Sequence, residues 1–205
     1  MASKEESAKT VVERYALTLD EFHEVERSVH LAEHLKRYGA VRRFCYGKVL
    51  DFACGCGYGS YMLALNPDVE SVTGVDVSEE AVEWARTHFA HQKATYEVAD
   101  GTKVAGAFDT LVCLETLEHI KDRAVVPDIA KRTGVSNIIV SFPDKKTTHY
   151  NPHHLHDFML QEVIDLFPGF ALYHQQRSAD STVAFFTKLP AKAPHDLFRN
   201  LPDLG

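Results

Sequence analysis

Val49-Leu50-Asp51-Phe52-Ala53-Cys54-Gly55-Cys56-Gly57-Tyr58-Gly59-Ser60 opens as an apolar run, passes into alternating small residues and leads into Tyr61-Met62-Leu63-Ala64-Leu65. The pattern predicts a strand, a tight turn and the start of a helix. Glycines at 55, 57 and 59 relieve the steric limits of a turn and let backbone approach a ligand closely. Asp51 falls at the strand end, where a nucleotide-like ligand lies outside the carboxyl edge of a parallel sheet. A dinucleotide fingerprint would read Gly-x-Gly-x-x-Gly, and a phosphate loop would need Lys followed by Ser or Thr. The stretch has neither.

Outward from this turn, the 205 residues suffice for one substantial core and not for two ordinary domains. With 45% hydrophobic and 25% charged residues, the composition is that of a soluble globular chain. No run is long and apolar enough to span a bilayer, and the polar start lacks an apolar secretory core, so a cytoplasmic location is expected. The formal charge of -7 argues against a general polyanion groove. Short basic groups at Lys36, Arg37, Arg42 and Arg43, and at Lys145 and Lys146, read as solvated surface. Four cysteines do not suggest a disulfide framework, and Cys54-x-Cys56 with Cys45 and Cys113 does not complete a zinc pattern.

Ser71–Val75 predicts a second strand ending at Asp76, roughly twenty residues after the glycines, where one carboxylate can accept both ribose hydroxyls. Ser78 reads as the cap of a helix through Glu79-Glu80-Ala81-Val82-Glu83-Trp84-Ala85-Arg86. The glycine stretch and Gly74-Val75-Asp76-Val77-Ser78 together resemble the first two motifs of class I S-adenosylmethionine-dependent methyltransferases, closest in feel to small bacterial glycan and natural-product enzymes. The chain departs once, with Ala53 where the first glycine is usual. The resemblance covers about residues 47–187. It implies a Rossmann-like class I methyltransferase fold: an α/β domain with a mostly parallel seven-stranded sheet and a final antiparallel pair. It also implies S-adenosyl-L-methionine as cofactor, held by Asp51, Ala53, Gly55, Gly57 and Tyr58 at its methionine end. Asp76 would meet the ribose and Asp100 with Gly101 the adenine, with Val77 and Leu114 as further cofactor contacts.

Phe108–Glu115 predicts a fourth strand, followed by Thr116-Leu117-Glu118-His119-Ile120, which resembles the family segment beyond the cofactor's donor end. A neutral imidazole can take a proton from an attacking hydroxyl or amine, and a nearby carboxylate can orient it. His119 is therefore the candidate base, with Glu118 and His154 as its catalytic company. Asn137–Phe142 predicts the fifth strand. Beyond it, Thr147-Thr148-His149-Tyr150-Asn151-Pro152-His153-His154-Leu155-His156-Asp157-Phe158 holds four histidines within eight residues, on the edge where an acceptor enters. Glu115, His149, Tyr150, Asn151, His154 and His156 are the substrate-side candidates. Two further strands, Phe170–Arg177 and Thr182–Thr187, complete the sheet.

Residues 1–46 read as a helical extension, 47–189 as the cofactor-binding domain and 190–205 as a tail. Within the extension Gly39 is expected to stop a helix carrying Leu31, Leu35 and Tyr38. His30 and His34 share a helix face, where the pair reads either as surface or as ligands for a metal or polar substrate; by resemblance Tyr15, Arg27 and His30 belong to a lid over the site. The expected activity is methyl transfer to a small-molecule or sugar hydroxyl, with an amine acceptor open, by a monomer or homodimer. Two alternatives stand beside it. Glu115-x-x-Glu118-His119 with His154 or His156 resembles the metal set of small-RNA 3′-terminal 2′-O-methyltransferases, although the acidic balance argues against RNA; metal-free transfer remains the main expectation. The chain could instead be a cofactor-binding partner subunit without turnover.

Overall fold

The computed structural model describes residues 29–189, together with Thr18 and Glu21. Helix α1 (Val29–Val41) runs into a 3-10 turn (Arg42–Phe44) and then β1 (Gly47–Phe52), α2 (Tyr58–Ala64), β2 (Val69–Asp76) and α3 (Glu79–His88). There follow β3 (Ala94–Val98), β4 (Thr110–Leu114), a second 3-10 turn (Leu117–His119), α4 (Val125–Thr133) and β5 (Asn137–Pro143). The last elements are α5 (Leu160–Leu166), β6 (Phe170–Ser178) and β7 (Ser181–Lys188). No helix among the described residues is long and apolar enough to cross a membrane.

The strands form one seven-stranded sheet in the order β3-β2-β1-β4-β5-β7-β6. β7 pairs antiparallel with both β5 and β6, while β1 to β5 pair in parallel. The strand order reverses between β1 and β4, which opens a crevice at their carboxyl ends.

In β1, β4, β5 and β7 successive residues alternate between two cores. Val49, Val112, Ile139 and Phe185 pack on one face with Leu35, Tyr38, Leu63, Val82 and Phe89 of the first three helices. Leu50, Leu111, Ile138, Val140 and Phe186 pack on the other with Val126, Ile129, Val163 and Phe167. Both faces are covered, so the strands read as near-continuous apolar runs.

Gly39 does not stop its helix, contrary to the expectation from sequence. α1 continues to Val41, which is fully buried. A mid-helix glycine costs about 1 kcal/mol relative to Ala, less than burial of a Val side chain returns at about 1.5–3 kcal/mol. Ser78 caps α3 as read, its Oγ accepting the Ala81 N–H at 3.2 Å. The predicted fourth strand ends one residue early, because Glu115 turns to a left-handed φ of 49°.

Candidate active site

The glycine turn carries β1 into α2 through three left-handed residues, Ala53 (φ 61°), Gly55 (φ 56°) and Gly57 (φ 89°). Ala53 thus occupies a conformation that strains a residue with a Cβ. Gly57 serves packing: a Cβ there would lie 2.4 Å from Ala85 Cβ and 2.9 Å from Tyr96 Cε1. Asp76 ties the turn to the next helix. One carboxylate oxygen accepts the Gly55 N–H and the other the Ser78 N–H, each at 2.9 Å, in a side chain almost fully buried at the cleft wall.

Asp51 lies deeper than the sequence suggests. It is wholly buried beneath the turn, accepts bonds from Ser60 Oγ at 2.6 Å and Tyr38 Oη at 3.2 Å, and does not line the cleft. Its role is support of the turn, which corrects the expected direct contact. Burial pushes its carboxyl from 3.8 up to about 7, against the two hydroxyl donors and with the Asp76 charge adding to the rise. A carboxyl raised in the folded state holds its proton while the unfolded chain has lost it. Folding stability therefore falls as pH rises from about 4 to about 7, then levels. Asp51→Asn should lack this fall, so its Tm relative to the parent should climb across that window. Parallel melting curves from pH 4.5 to 8 would disprove it.

Three further cofactor candidates are placed outside the cleft lining. Asp100 is half-exposed and bound to its own turn, accepting from Thr102 N–H at 2.9 Å, from the Thr102 hydroxyl and from Lys103 Nζ at 3.2 Å. These donors hold its carboxyl down at about 2. Gly101 is buried where a Cβ would lie 2.3 Å from Val125 Cγ1, so it fits the β3–β4 connection onto α4. Gly57 is the third. Ala53, Gly55, Tyr58, Asp76, Val77 and Leu114 do line the cleft, as do Cys54 and Cys56. None of the four cysteines is in a disulfide, and all are buried.

The other half of the cleft is built by the 3-10 turn after β4 and the segment between β5 and α5. Glu118 is buried, and its backbone carbonyl accepts the Leu155 N–H at 2.7 Å, which fastens the two pieces together. His119 Nδ1 lies 2.9 Å from the His153 carbonyl. A carbonyl only accepts, so Nδ1 carries the proton and a neutral His119 offers Nε2 as an acceptor. His154 stands against it, ring centroids 4.6 Å apart, with its Nδ1 2.5 Å from Thr147 Oγ1. Asp157 organises the loop by accepting from Thr147 N–H (2.7 Å), Thr148 N–H (3.1 Å) and Thr148 Oγ1 (2.7 Å), bonds that depress its carboxyl strongly.

Glu118, His119 and His154 each offer a ligand atom within 4.8 Å of the others, the one such group among the described residues. Glu115 is not a member, and neither is His156, whose Nε2 meets the Ile120 carbonyl at 3.1 Å outside the cleft lining. Instead, Glu115 accepts from Ser141 Oγ at 2.6 Å and Ser181 Oγ at 2.8 Å. It lines the cleft with Tyr150 and Asn151, whereas His149 stacks edge-on with Tyr150 and lies outside. Tyr15 and Arg27 lie outside the described residues, as does the His30 side chain.

Sequence reading missed Glu33, Arg37, Thr116, Thr147, His153 and Asp180, all of which line the cleft; His34, read either as a surface residue or as a ligand for a metal or polar substrate, lines it as well. Arg37 is the sharpest correction: it is 5% exposed, where its basic neighbours suggested a solvated patch. Its one local signal was position, two residues after Leu35 and directly before Tyr38 on a helix that buries both.

The cleft has a volume of about 670 Å³, within the roughly 300–1,000 Å³ of small-ligand sites. Residues 49–133 match the family model described as a methyltransferase domain. Over this stretch the chain is similar to methyltransferase domains. The chain is 40% identical over 83 residues to the ubiquinone biosynthesis O-methyltransferase of Aromatoleum aromaticum, a match covering 38% of this chain and 35% of that protein. The chain thus spans about a third of the length of this curated relative. The methyltransferase fold extends further. Magnesium protoporphyrin IX methyltransferase from Synechocystis, solved with bound SAH, superposes with a TM-score of 0.64 at 19% identity over 83% of this chain and 95% of that one. The N-methyltransferase NodS from Bradyrhizobium japonicum, in complex with S-adenosyl-L-homocysteine, gives 0.64 at 18% identity over 80% and 91%.

Proposed function

We propose that this protein transfers the methyl group of S-adenosylmethionine to a hydroxyl of a small-molecule or sugar acceptor, with an amine as the other acceptor class. The observation that carries this reading is His119: its Nδ1 proton is committed to a backbone carbonyl, and its Nε2 is the basic atom beside Glu118 in the cleft. The cofactor half fits the residues present. Asp76 offers a buried carboxylate with acceptor capacity left for ribose hydroxyls, and Ala53 and Gly55 keep the turn small enough for close backbone approach. Bound there, S-adenosylmethionine supplies a sulfonium-activated methyl group.

The chain's residues then do three things. The turn and the β4 end align donor and acceptor, which accounts for much of the acceleration in a direct transfer. His119 Nε2 takes the acceptor's proton as its oxygen or nitrogen attacks, and Glu118 offsets the charge of the resulting imidazolium. His34, Thr147, Tyr150 and Asn151 offer the donors and acceptors that a polyhydroxylated acceptor needs.

A second reading is favoured by the Glu118–His119–His154 group. The Nδ1 atoms of both histidines are engaged, by a carbonyl and a hydroxyl, in the way outer partners orient metal-bound imidazoles. A divalent ion held there would lower the pKa of an acceptor hydroxyl. Calorimetry with S-adenosylhomocysteine, followed by methyl-transfer assays on sugar, phenol and amine acceptors with EDTA or Mn²⁺, separates the readings. Turnover that survives EDTA supports direct base assistance. Turnover lost to EDTA and restored by Mn²⁺ supports the metal. Absence of cofactor binding overturns both, and binding without turnover on any acceptor points to a partner subunit.

A further inference from the structure

Thr147 links Asp157 to His154, whose ring stands in the cleft wall. Asp157 Oδ1 accepts the Thr147 N–H at 2.7 Å and the Thr148 N–H at 3.1 Å, and Oδ2 accepts the Thr148 hydroxyl at 2.7 Å. With its backbone fixed in this way, Thr147 brings one hydroxyl against two groups. Oγ1 lies 2.5 Å from His154 Nδ1 and 3.4 Å from Asp157 Oδ1. The residue is only 4% exposed, so solvent does not compete for the bond. A hydroxyl has one proton and donates in one direction only. Asp157 keeps its negative charge, because its donors hold the carboxyl well below the usual carboxylate range. Donation to Nδ1 would leave the hydroxyl lone pairs facing that charge with no proton between them. Donation to the carboxylate avoids this and turns the Thr147 oxygen to Nδ1, which must then carry the ring hydrogen. The oxygen keeps a second lone pair for an acceptor hydroxyl.

We propose that Thr147 is a positioning residue for methyl transfer: it holds His154 in the tautomer with hydrogen on Nδ1, so that Nε2 is an acceptor. This rests on the reading of His119 as the base. The candidate ligand atoms of Glu118, His119 and His154 lie within 4.8 Å of one another, and the two imidazoles meet edge-on. In the other tautomer His154 would bring an N–H among these acceptor atoms. A bond from it to His119 Nε2 would occupy the lone pair that takes the acceptor's proton. Thr147 prevents that bond. Both histidines then follow one rule, with Nδ1 donating to an oxygen of the fold: the His153 carbonyl for His119 and the Thr147 hydroxyl for His154. Asp157 is the fixed charge that gives the second arrangement its direction.

The test joins a tautomer measurement to a double-mutant cycle in the full chain with S-adenosylhomocysteine or the active cofactor. Long-range 1H–15N spectra at pH 8, with the His154 ring assigned by its loss in His154→Ala, should show hydrogen on Nδ1 in the parent. Thr147→Ser keeps the hydroxyl and should keep that pattern. Thr147→Val keeps the shape without the hydroxyl and should shift the ring toward hydrogen on Nε2. Its kcat should fall about three- to tenfold, the range for one lost hydrogen bond, with the Kd for S-adenosylhomocysteine unchanged, and Thr147→Ser should recover the loss. In a His154→Ala background Thr147→Val should cost nothing further, since it acts through that ring. A parent ring with hydrogen on Nε2 overturns the proposal, as does a ring pattern or kcat untouched in Thr147→Val. An equal loss in the His154→Ala background also overturns it and makes Thr147 a prop of the loop. The parent spectrum needs no variant, so misfolding of Thr147→Val leaves the proposal open to refutation. A parent with the expected tautomer and no turnover on any acceptor refutes the methyl-transfer reading instead.

Discussion

His119→Ala is expected to lower kcat by about 10²- to 10⁴-fold, the range a positioned base contributes, while the Kd for S-adenosylhomocysteine changes by less than about threefold. The two halves of the expectation rest on different parts of the cleft. His119 is placed by the 3-10 turn after β4 and held by the His153 carbonyl, on the side opposite Asp76 and Val77. Its loss removes a proton acceptor without touching the glycine turn. Residual turnover should persist, because alignment of donor and acceptor is independent of the base. His154→Ala supplies the control. If His119 acts as a base, His154→Ala should cost about tenfold or less, as the loss of one neighbouring contact. If both ligate a metal, the two variants and Glu118→Gln should fall together, and Mn²⁺ binding followed by electron paramagnetic resonance should vanish in each. A joint collapse of turnover and cofactor affinity in His119→Ala would refute the assignment, since it would make the residue a structural prop.

Asp76→Ala is expected to weaken S-adenosylhomocysteine binding by about 100-fold or more, from the loss of charge-assisted hydrogen bonds to ribose worth about 1.5–3 kcal/mol each. It should also lower stability by about 2–3 kcal/mol, because the Gly55 and Ser78 N–H groups each lose their carboxylate acceptor inside the fold. The two effects are separable. Asp76→Asn keeps one acceptor oxygen but turns an amide donor toward one of those N–H groups, so part of the stability loss should remain. Calorimetry with a 2′-deoxy analogue of S-adenosylhomocysteine isolates the ribose contribution. The analogue should bind the parent more weakly and Asp76→Asn with little further loss. An Asp76→Asn variant with parental affinity for both ligands would remove Asp76 from ribose recognition.

The parts of the site that were legible in the sequence are those set by neighbours along the chain. The turn at 53–57, the acid closing β2, the Ser78 cap and the His-rich segment after β5 all depend on short-range periodicity and residue type. Asp100 shows the limit of that reasoning. Its position after β3 matches expectation, yet its carboxylate is held by Thr102 and Lys103 two and three residues on. A motif fixes where a residue stands along the chain and leaves open which donors will capture it.

By itself, the sequence determined the fold class and the carboxyl edge at which the cleft opens. Apolar runs covered on both faces, a strand-turn-helix around three glycines and Asp76 at the next strand end leave few alternatives to a doubly covered parallel sheet. Only the tertiary structure decided how the cleft is lined. Arg37 meets Ser181 across 144 residues, Glu115 meets the same hydroxyl across 66, and His119 meets the His153 carbonyl across 34. Burial makes Arg37 a cleft residue and moves Asp51 out of the lining to a place beneath the turn. The physical reason is that desolvation and hydrogen-bond partnership are properties of a packed position. Residues far apart in the chain create that position, and no local pattern encodes it.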